Sequence, residues 1–168
     1  NYLNNNSDLS AAFGSNLEEA IRHYISYGYR EGRSYSSRFN TKSELISAIN
    51  LWENDRSSAI STYGDINAWD VSKITDFSRL FDDQFNFISD ISKWDVSNGR
   101  DFNGMFENAN SFNQDIGSWD VSNGTDFSDM FKNAESFNQD IGSWNVSNST
   151  DFYAMFNQAD VFNQDIGN

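Results

Sequence analysis

The sequence predicts an α/β solenoid of 25-residue coils, each holding a short helix and a short extended segment, behind an all-helical N-terminal cap. Three observations carry that expectation. Trp69, Trp94, Trp119 and Trp144 recur every 25 residues, and Val71, Val96, Val121 and Val146 follow in step. The same interval joins Phe77, Phe102, Phe127 and Phe152, then Phe81, Phe106, Phe131 and Phe156, and then Ile66, Ile91, Ile116 and Ile141, with Ile166 continuing the last series. Finally, residues 115–138 and 140–163 agree at 16 of 24 positions.

Residues 1–36 read as a helical hairpin-like module. "SDLSAAFG" is a short helix stopped by Gly14. "SNLEEAIRHYISYG" opens with Ser15 and Glu18 at capping-box spacing, carries Leu17, Ile21, Tyr24 and Ile25 on one stripe, and stops at Gly28. His23, the single histidine, has neither a second His nor a Cys or Ser partner, so a zinc site or a triad is not supported. A polar linker follows near Ser34–Ser37. Residues 37–63 read as the helical cap of the solenoid: "TKSELISAINLW" offers Thr41 and Glu44 as a second capping box, with Leu45, Ile49 and Trp52 along one face.

Residues 64–168 read as four coils plus a partial fifth. "TDFSDMFKNA" puts Phe127, Met130, Phe131 and Ala134 at i, i+3, i+4 and i+7, which predicts a short helix with Thr125 as N-cap and Asp126 at its positive end. "SWDVS" sets Trp119 and Val121 on one side of an extended segment, Phe137 and Ile116 fill the corners, and "FNQD" and "VSNG" are turns. A single coil has too few apolar residues to fold, but stacked coils share their interfaces. Strands stack at about 4.8 Å, whereas packed helices need about 8–10 Å. A coil holding both must curve, or keep its extended segment out of a tight ladder. No cap follows the last coil, so end-to-end self-association through an exposed C-terminal coil is expected.

Composition narrows the function classes. With 25 acidic residues against 11 basic ones, the formal charge is −14. No basic stripe exists to meet nucleic acid or an anionic membrane. Residues 64–168 carry 18 acids and 5 bases, net −13. The 15 Phe and 5 Trp provide core material that a disordered acidic tail lacks. The absence of Cys removes disulfides and thiol chemistry together. No apolar run is long enough for membrane insertion, and no signal peptide opens the chain. Starting at Asn1 without methionine, it reads as a segment of a longer protein.

Trp119 between Asp115 and Asp120 resembles the aromatic-plus-acid sites of glycoside-cleaving enzymes. A site copied at every repeat is instead a structural unit, and Asn145 replaces the second carboxylate in the last copy. No catalytic residue and no cofactor is therefore expected. The Trp series reads as core rather than as an exposed polysaccharide platform. Asp90, Asp115, Asp140 and Asp165 form a column, and Asp76, Asp101, Asp126 and Asp151 form another. The first is the candidate set for Ca²⁺. Neither an EF-hand loop nor a glycine-rich Ca²⁺ nonapeptide is present, so turn capping is the favoured use. Thr75, Thr125 and Thr150 are interrupted by Arg100, too irregular for an ice-binding face.

The unit "FNQDIGSWDVSN" and its surroundings, from Phe39 to Asn168, resemble the BspA-type, leucine-rich-repeat-like repeats of bacterial and protist surface proteins. The chain departs from that pattern in carrying Gly99, Gly124 and Ser149 for Val, and Phe102, Phe127 and Phe152 for Met. "YLNNNSDLSAAFGSNLEEAIRHYISYGYREGR" is similar to a short helical repeat of large exported bacterial proteins. The resemblance implies a non-enzymatic, extracellular or cell-surface protein that meets an unknown protein or glycan on another cell or matrix. The alternative it leaves is a passive spacer.

Overall fold

The computed structural model describes residues 37–167. The helical module expected over residues 1–36, with His23, lies outside the described residues.

Two helices come first. Thr41 accepts the Glu44 N–H at 3.2 Å while the Glu44 carboxylate accepts the Thr41 N–H at 3.1 Å, closing the capping box that starts α1, Lys42–Asn54. Leu45, Ala48, Ile49 and Trp52 form its buried stripe. Asp55 then accepts the Ser58 N–H to open α2, Arg56–Tyr63, which Gly64 ends with φ 80°. A 3₁₀ turn, Ile66–Ala68, leads into the repeats. The segment at 37–39 pairs with Asp70 through two backbone bonds of 3.0 and 2.9 Å. Phe39, Trp52 and Tyr63 converge on Trp69 with ring centroids 5.1, 5.8 and 5.9 Å away. These three rings roof the outer face of the first repeat.

The expected α/β solenoid of leucine-rich-repeat-like coils is not what the chain builds. Among the described residues, α-helix occurs only before the repeats, and no named strand or sheet exists. Among the described residues, pairings of strand type are isolated parallel bridges, Arg38 with Asp70 and the run Asp76, Asp101, Asp126 and Asp151. The repeats instead form stacked layers made of turns, beginning at Trp69, Trp94, Trp119 and Trp144.

The physical reason is spacing. In the segment expected to be helical, every second N–H closes a local turn: Leu80 donates to Phe77, Asp82 to Arg79 and Gln84 to Phe81. The N–H groups between them leave the layer. Phe77, Arg79, Phe81 and Asp83 donate to the carbonyls of Asp101, Asn103, Met105 and Glu107 at 2.8–3.0 Å. A helix would consume all of these donors internally and hold its neighbour no closer than about 8 Å. The turn-built segment keeps the stack tight. Phe77, Phe102, Phe127 and Phe152 have centroids 5.4, 5.1 and 5.7 Å apart, with planes within 10° of parallel.

The turns require left-handed backbone at two places per layer. Arg79 and Asp83 have φ 52° and 60°, and Asn108, Asp129, Asn133, Ala154 and Gln158 repeat the pattern with φ 51–60°. Asn and Asp tolerate this region better than most residues, and the interlayer bonds hold the others there.

The core runs through the middle of the stack. Phe81, Phe106, Phe131 and Phe156 form a second column, and each presses within 3.9–4.2 Å on a third, Phe87, Phe112, Phe137 and Phe162. Ile66, Ile91, Ile116, Ile141, Val71, Val96 and Val121 complete it, all buried. At Gly124 an added Cβ would lie 2.5 Å from Phe127 Cζ, and Gly99 faces Phe102 in the same way. At these two layers the ring fills the space beside the glycine, whereas the first layer buries Ile74 and Phe77 together at the equivalent positions.

Candidate functional site

The tryptophans are inside. Trp69, Trp94 and Trp119 are 2–4% exposed, and Trp144 is 9% exposed. Each indole N–H is also used. Trp94 donates to the Ile66 carbonyl at 2.8 Å, Trp119 to Ile91 at 3.3 Å and Trp144 to Ile116 at 3.1 Å, each bond crossing from one layer to the one before. Trp69 has no layer before it and donates to Gly64 instead. The indoles therefore tie layers together, and their faces are not offered to a sugar.

The acidic columns lie on the outside, where each carboxylate closes its own turn. Asp90 accepts the Ser92 N–H, and Asp115, Asp140 and Asp165 accept the N–H groups of Gly117, Gly142 and Gly167, at 2.9–3.1 Å. Asp101, Asp126 and Asp151 do the same for Asn103, Ser128 and Tyr153. Asn145 accepts the Ser147 N–H where its counterpart Asp120 accepts the Ser122 N–H, so the turn needs an oxygen and not a charge. Among the described residues, no three carboxylate or imidazole groups gather as a metal site would require.

Local partners shift several of these groups. The Ser72 hydroxyl, donating at 2.6 Å, holds Asp70 below its ordinary value of 3.8; Arg38 adds to this while burial opposes it. Ser122, through its side chain and then its N–H, holds Asp120 below the same value. At Asp76 burial pushes upward but is outweighed by Lys42, whose ammonium lies 2.7 Å away, together with Ser78.

Two features escaped the sequence reading. The first is an ion-pair chain across layers. Glu107, only 8% exposed, meets Arg79 of the layer before at 3.0 Å and Lys132 of the layer after at 2.9 Å, and Lys132 also reaches Asp129 at 3.3 Å. The signal was present in the spacing, since positions 82, 107 and 132 share one column. The second is the apolar pair Phe85 and Ile88, both exposed. Later repeats carry Asn110 and Asn113 at these places. Asn113 Oδ1 accepts the Asn138 N–H, and Asn138 Oδ1 accepts the Asn163 N–H, an amide ladder with no counterpart at Ile88.

An open apolar region lies at the outer face of the layer that begins at Trp144. A concavity of about 590 Å³ there is lined by Ile141, Trp144, Val146, Phe152, Met155 and Phe156, among others. Val146, Phe152 and Ile166, whose equivalents are buried one layer earlier, are 36–53% exposed. The roof that Phe39, Trp52 and Tyr63 provide at the opposite end has no equivalent here among the described residues.

Residues 50–168 match the model of a family described as "Mycoplasma protein of unknown function, DUF285". No curated protein and no solved structure matches the chain.

Proposed function

We propose that this chain, which belongs to the DUF285 family, is a non-enzymatic repeat region of a cell-surface or secreted protein that serves recognition or adhesion. The observation that carries the reading is the repetition itself. Among the described residues, the recurring Asp and Asn side chains close turns or bond to the neighbouring layer. Among the described residues these groups do not converge on a shared cavity as a nucleophile, base or oxyanion donor would. The likeness of "FNQDIGSWDVSN" to BspA-type surface repeats supports the extracellular placement. The exposed edges, rich in Asn, Asp and Ser, present the same chemistry at each layer, which suits multivalent contact with a repetitive partner.

Two measurements test this. Protease shaving of intact cells of the source organism should release repeat-derived peptides, and their absence while other surface proteins are cleaved would overturn the placement. Arrayed glycans and matrix proteins probed with the purified chain should reveal a partner. Failure to bind any of them, with scattering from a stiff rod, would leave the spacer role in its place.

A further inference from the structure

We infer that the exposed pair Phe85 and Ile88, on the flank of the first repeat, is a docking site for a short, extended, cationic segment of another protein that carries apolar side chains. This goes beyond the surface role and does not depend on it.

The pair stands out against the repeat. Phe85 and Ile88 are 54% and 63% exposed, on either side of the buried Phe87. A further layer follows directly, since the Phe85 carbonyl accepts the Ser111 N–H at 3.0 Å. The equivalent positions deeper in the stack are polar: Asn110 and Asn113, Glu135 and Asn138, Asp160 and Asn163. Asn113, with a layer on each side, is exposed as well. The openness of this position therefore belongs to the flank of the stack and not to either of its ends.

The apolar choice costs the fold a contact. Asn113 Oδ1 takes the Asn138 N–H at 3.0 Å and the Gln139 amide at 2.9 Å. Asn138 Oδ1 does the same for the Asn163 N–H and the Gln164 amide, both at 2.9 Å. At the first junction Ile88 offers no such oxygen. The Asn113 N–H and the Gln114 side-chain amide accordingly have no acceptor among the described residues. Asparagine at position 88 would complete the ladder, yet the chain holds an exposed isoleucine there. A local rule of the repeat is broken at one place, with a loss of stacking, and a binding role accounts for it. The two free donors stand in register beside the apolar pair, where the carbonyl of an extended backbone can meet them.

Charge selects the partner. Asp83 and Asp90 bracket the pair along the chain, and both are exposed. Neither has a basic partner among the described residues. Arg79, by contrast, is answered by Asp82 at 2.7 Å and Glu107 at 3.0 Å. Arg56, which reaches Ser89 at 3.0 Å, is answered by Glu53 at 4.0 Å. A cationic segment is thus attracted here, whereas a second copy, at −14, is repelled. Residues 1–36 carry 4 acids and 3 bases, net −1, and offer no complementary charge.

The test uses the full chain and short amidated peptides of alternating lysine and leucine, lysine and serine, or glutamate and leucine. In calorimetry the lysine–leucine peptide should bind with one-to-one stoichiometry, and the other two at least tenfold more weakly. The double variant Phe85→Asn, Ile88→Asn carries the residues that the second layer holds at these places. It should therefore fold with a melting temperature no lower than the parent's, and bind the lysine–leucine peptide at least tenfold more weakly. Asp83→Asn with Asp90→Asn should weaken binding and flatten its dependence on salt. Equal binding by the parent and the double variant would overturn the inference, as would equal binding of the two lysine peptides or no binding at millimolar concentration. So would a dimer of the parent that the double variant dissolves, since that assigns the pair to a second copy. Protection of residues 1–36 from hydrogen exchange that the double variant removes would overturn it too, by assigning the pair to that segment.

Discussion

Gly124 and Phe127 occupy one another's space: a Cβ on the glycine would stand 2.5 Å from the ring's Cζ and 3.0 Å from the Val121 carbonyl oxygen. The ring cannot yield easily, because it is fully buried and stacked between Phe102 and Phe152 at 5.1 and 5.7 Å. Gly124→Ala should therefore destabilise the fold by roughly 1–3 kcal/mol, as overpacking of a filled core does. Combining it with Phe127→Met should recover most of that loss. Urea unfolding midpoints of the two variants check the coupling, and an alanine variant as stable as the parent would show the packing argument to be wrong.

Trp119→Phe keeps an aromatic ring in the core but leaves the second bond to the Ile91 carbonyl unmade. We expect a loss of about 0.5–1.5 kcal/mol, the net worth of one hydrogen bond, with a small packing defect, because the Ile91 carbonyl keeps the Trp94 N–H. In the parent chain all five tryptophans should resist acrylamide when folded and quench freely in denaturant, since Trp52 is buried as well. Free quenching of the folded protein would contradict the buried ladder.

Acid should weaken the fold through the turn-closing carboxylates. Asp70 and Asp120 have folded values below the ordinary 3.8. Above that value both states are ionised and the stabilisation is fully present. As pH falls below about 3.8 the unfolded chain binds protons first, and the stabilisation is lost toward the lower folded value. Asn145 already performs the role of Asp120 without a charge. Asp120→Asn should therefore change stability at pH 7 by no more than about 0.5 kcal/mol. It should also make the acid limb of the urea midpoint against pH shallower. An unchanged acid limb would remove Asp120 from the explanation.

Salt acts on the same surface with the opposite sign. The 18 acids and 5 bases of residues 64–168 repel on balance, so raising ionic strength from about 0.01 to 0.15 M, which shortens the screening length from about 30 to 8 Å, should raise the melting temperature. Calcium chloride at matched ionic strength should do no more than sodium chloride, because each carboxylate of the column at Asp90, Asp115, Asp140 and Asp165 faces its own turn. A calcium-specific rise would revive that column as a metal site.

The repeat period, the buried columns and the capping box at Thr41 could all be read from the residues, because they depend on which side chains are apolar and how they are spaced. The internal form of each layer could not. Phe127, Met130 and Phe131 lie at i, i+3 and i+4 both in a helix and in successive turns closed by i to i+3 bonds, so the apolar pattern is the same for either. What distinguishes them is where the intervening N–H groups point, and that depends on the neighbouring layer. The left-handed residues carried a partial signal: Asn108 and Asn133 are typical of such backbone, but Arg79 and Ala154 are not. The closeness of Gly124 to Phe127 was not legible either, since the first layer holds Ile74 and Phe77 at the same two positions, and only the distance shows the ring filling the space beside the glycine.

Because the backbone and indole bonds that join one repeat layer to the next span 24 to 28 positions and recur at each junction, whole layers are interchangeable parts. Excising residues 94–118 would bring Phe77 opposite Asp126 and Trp119 opposite the Ile66 carbonyl, equivalents of the partners they have now. Insertions or losses that are not multiples of 25 residues would break every column beyond the change. Duplication and loss of coding units can therefore reset the reach of such a protein in fixed increments, with each new length folding by rules already in place.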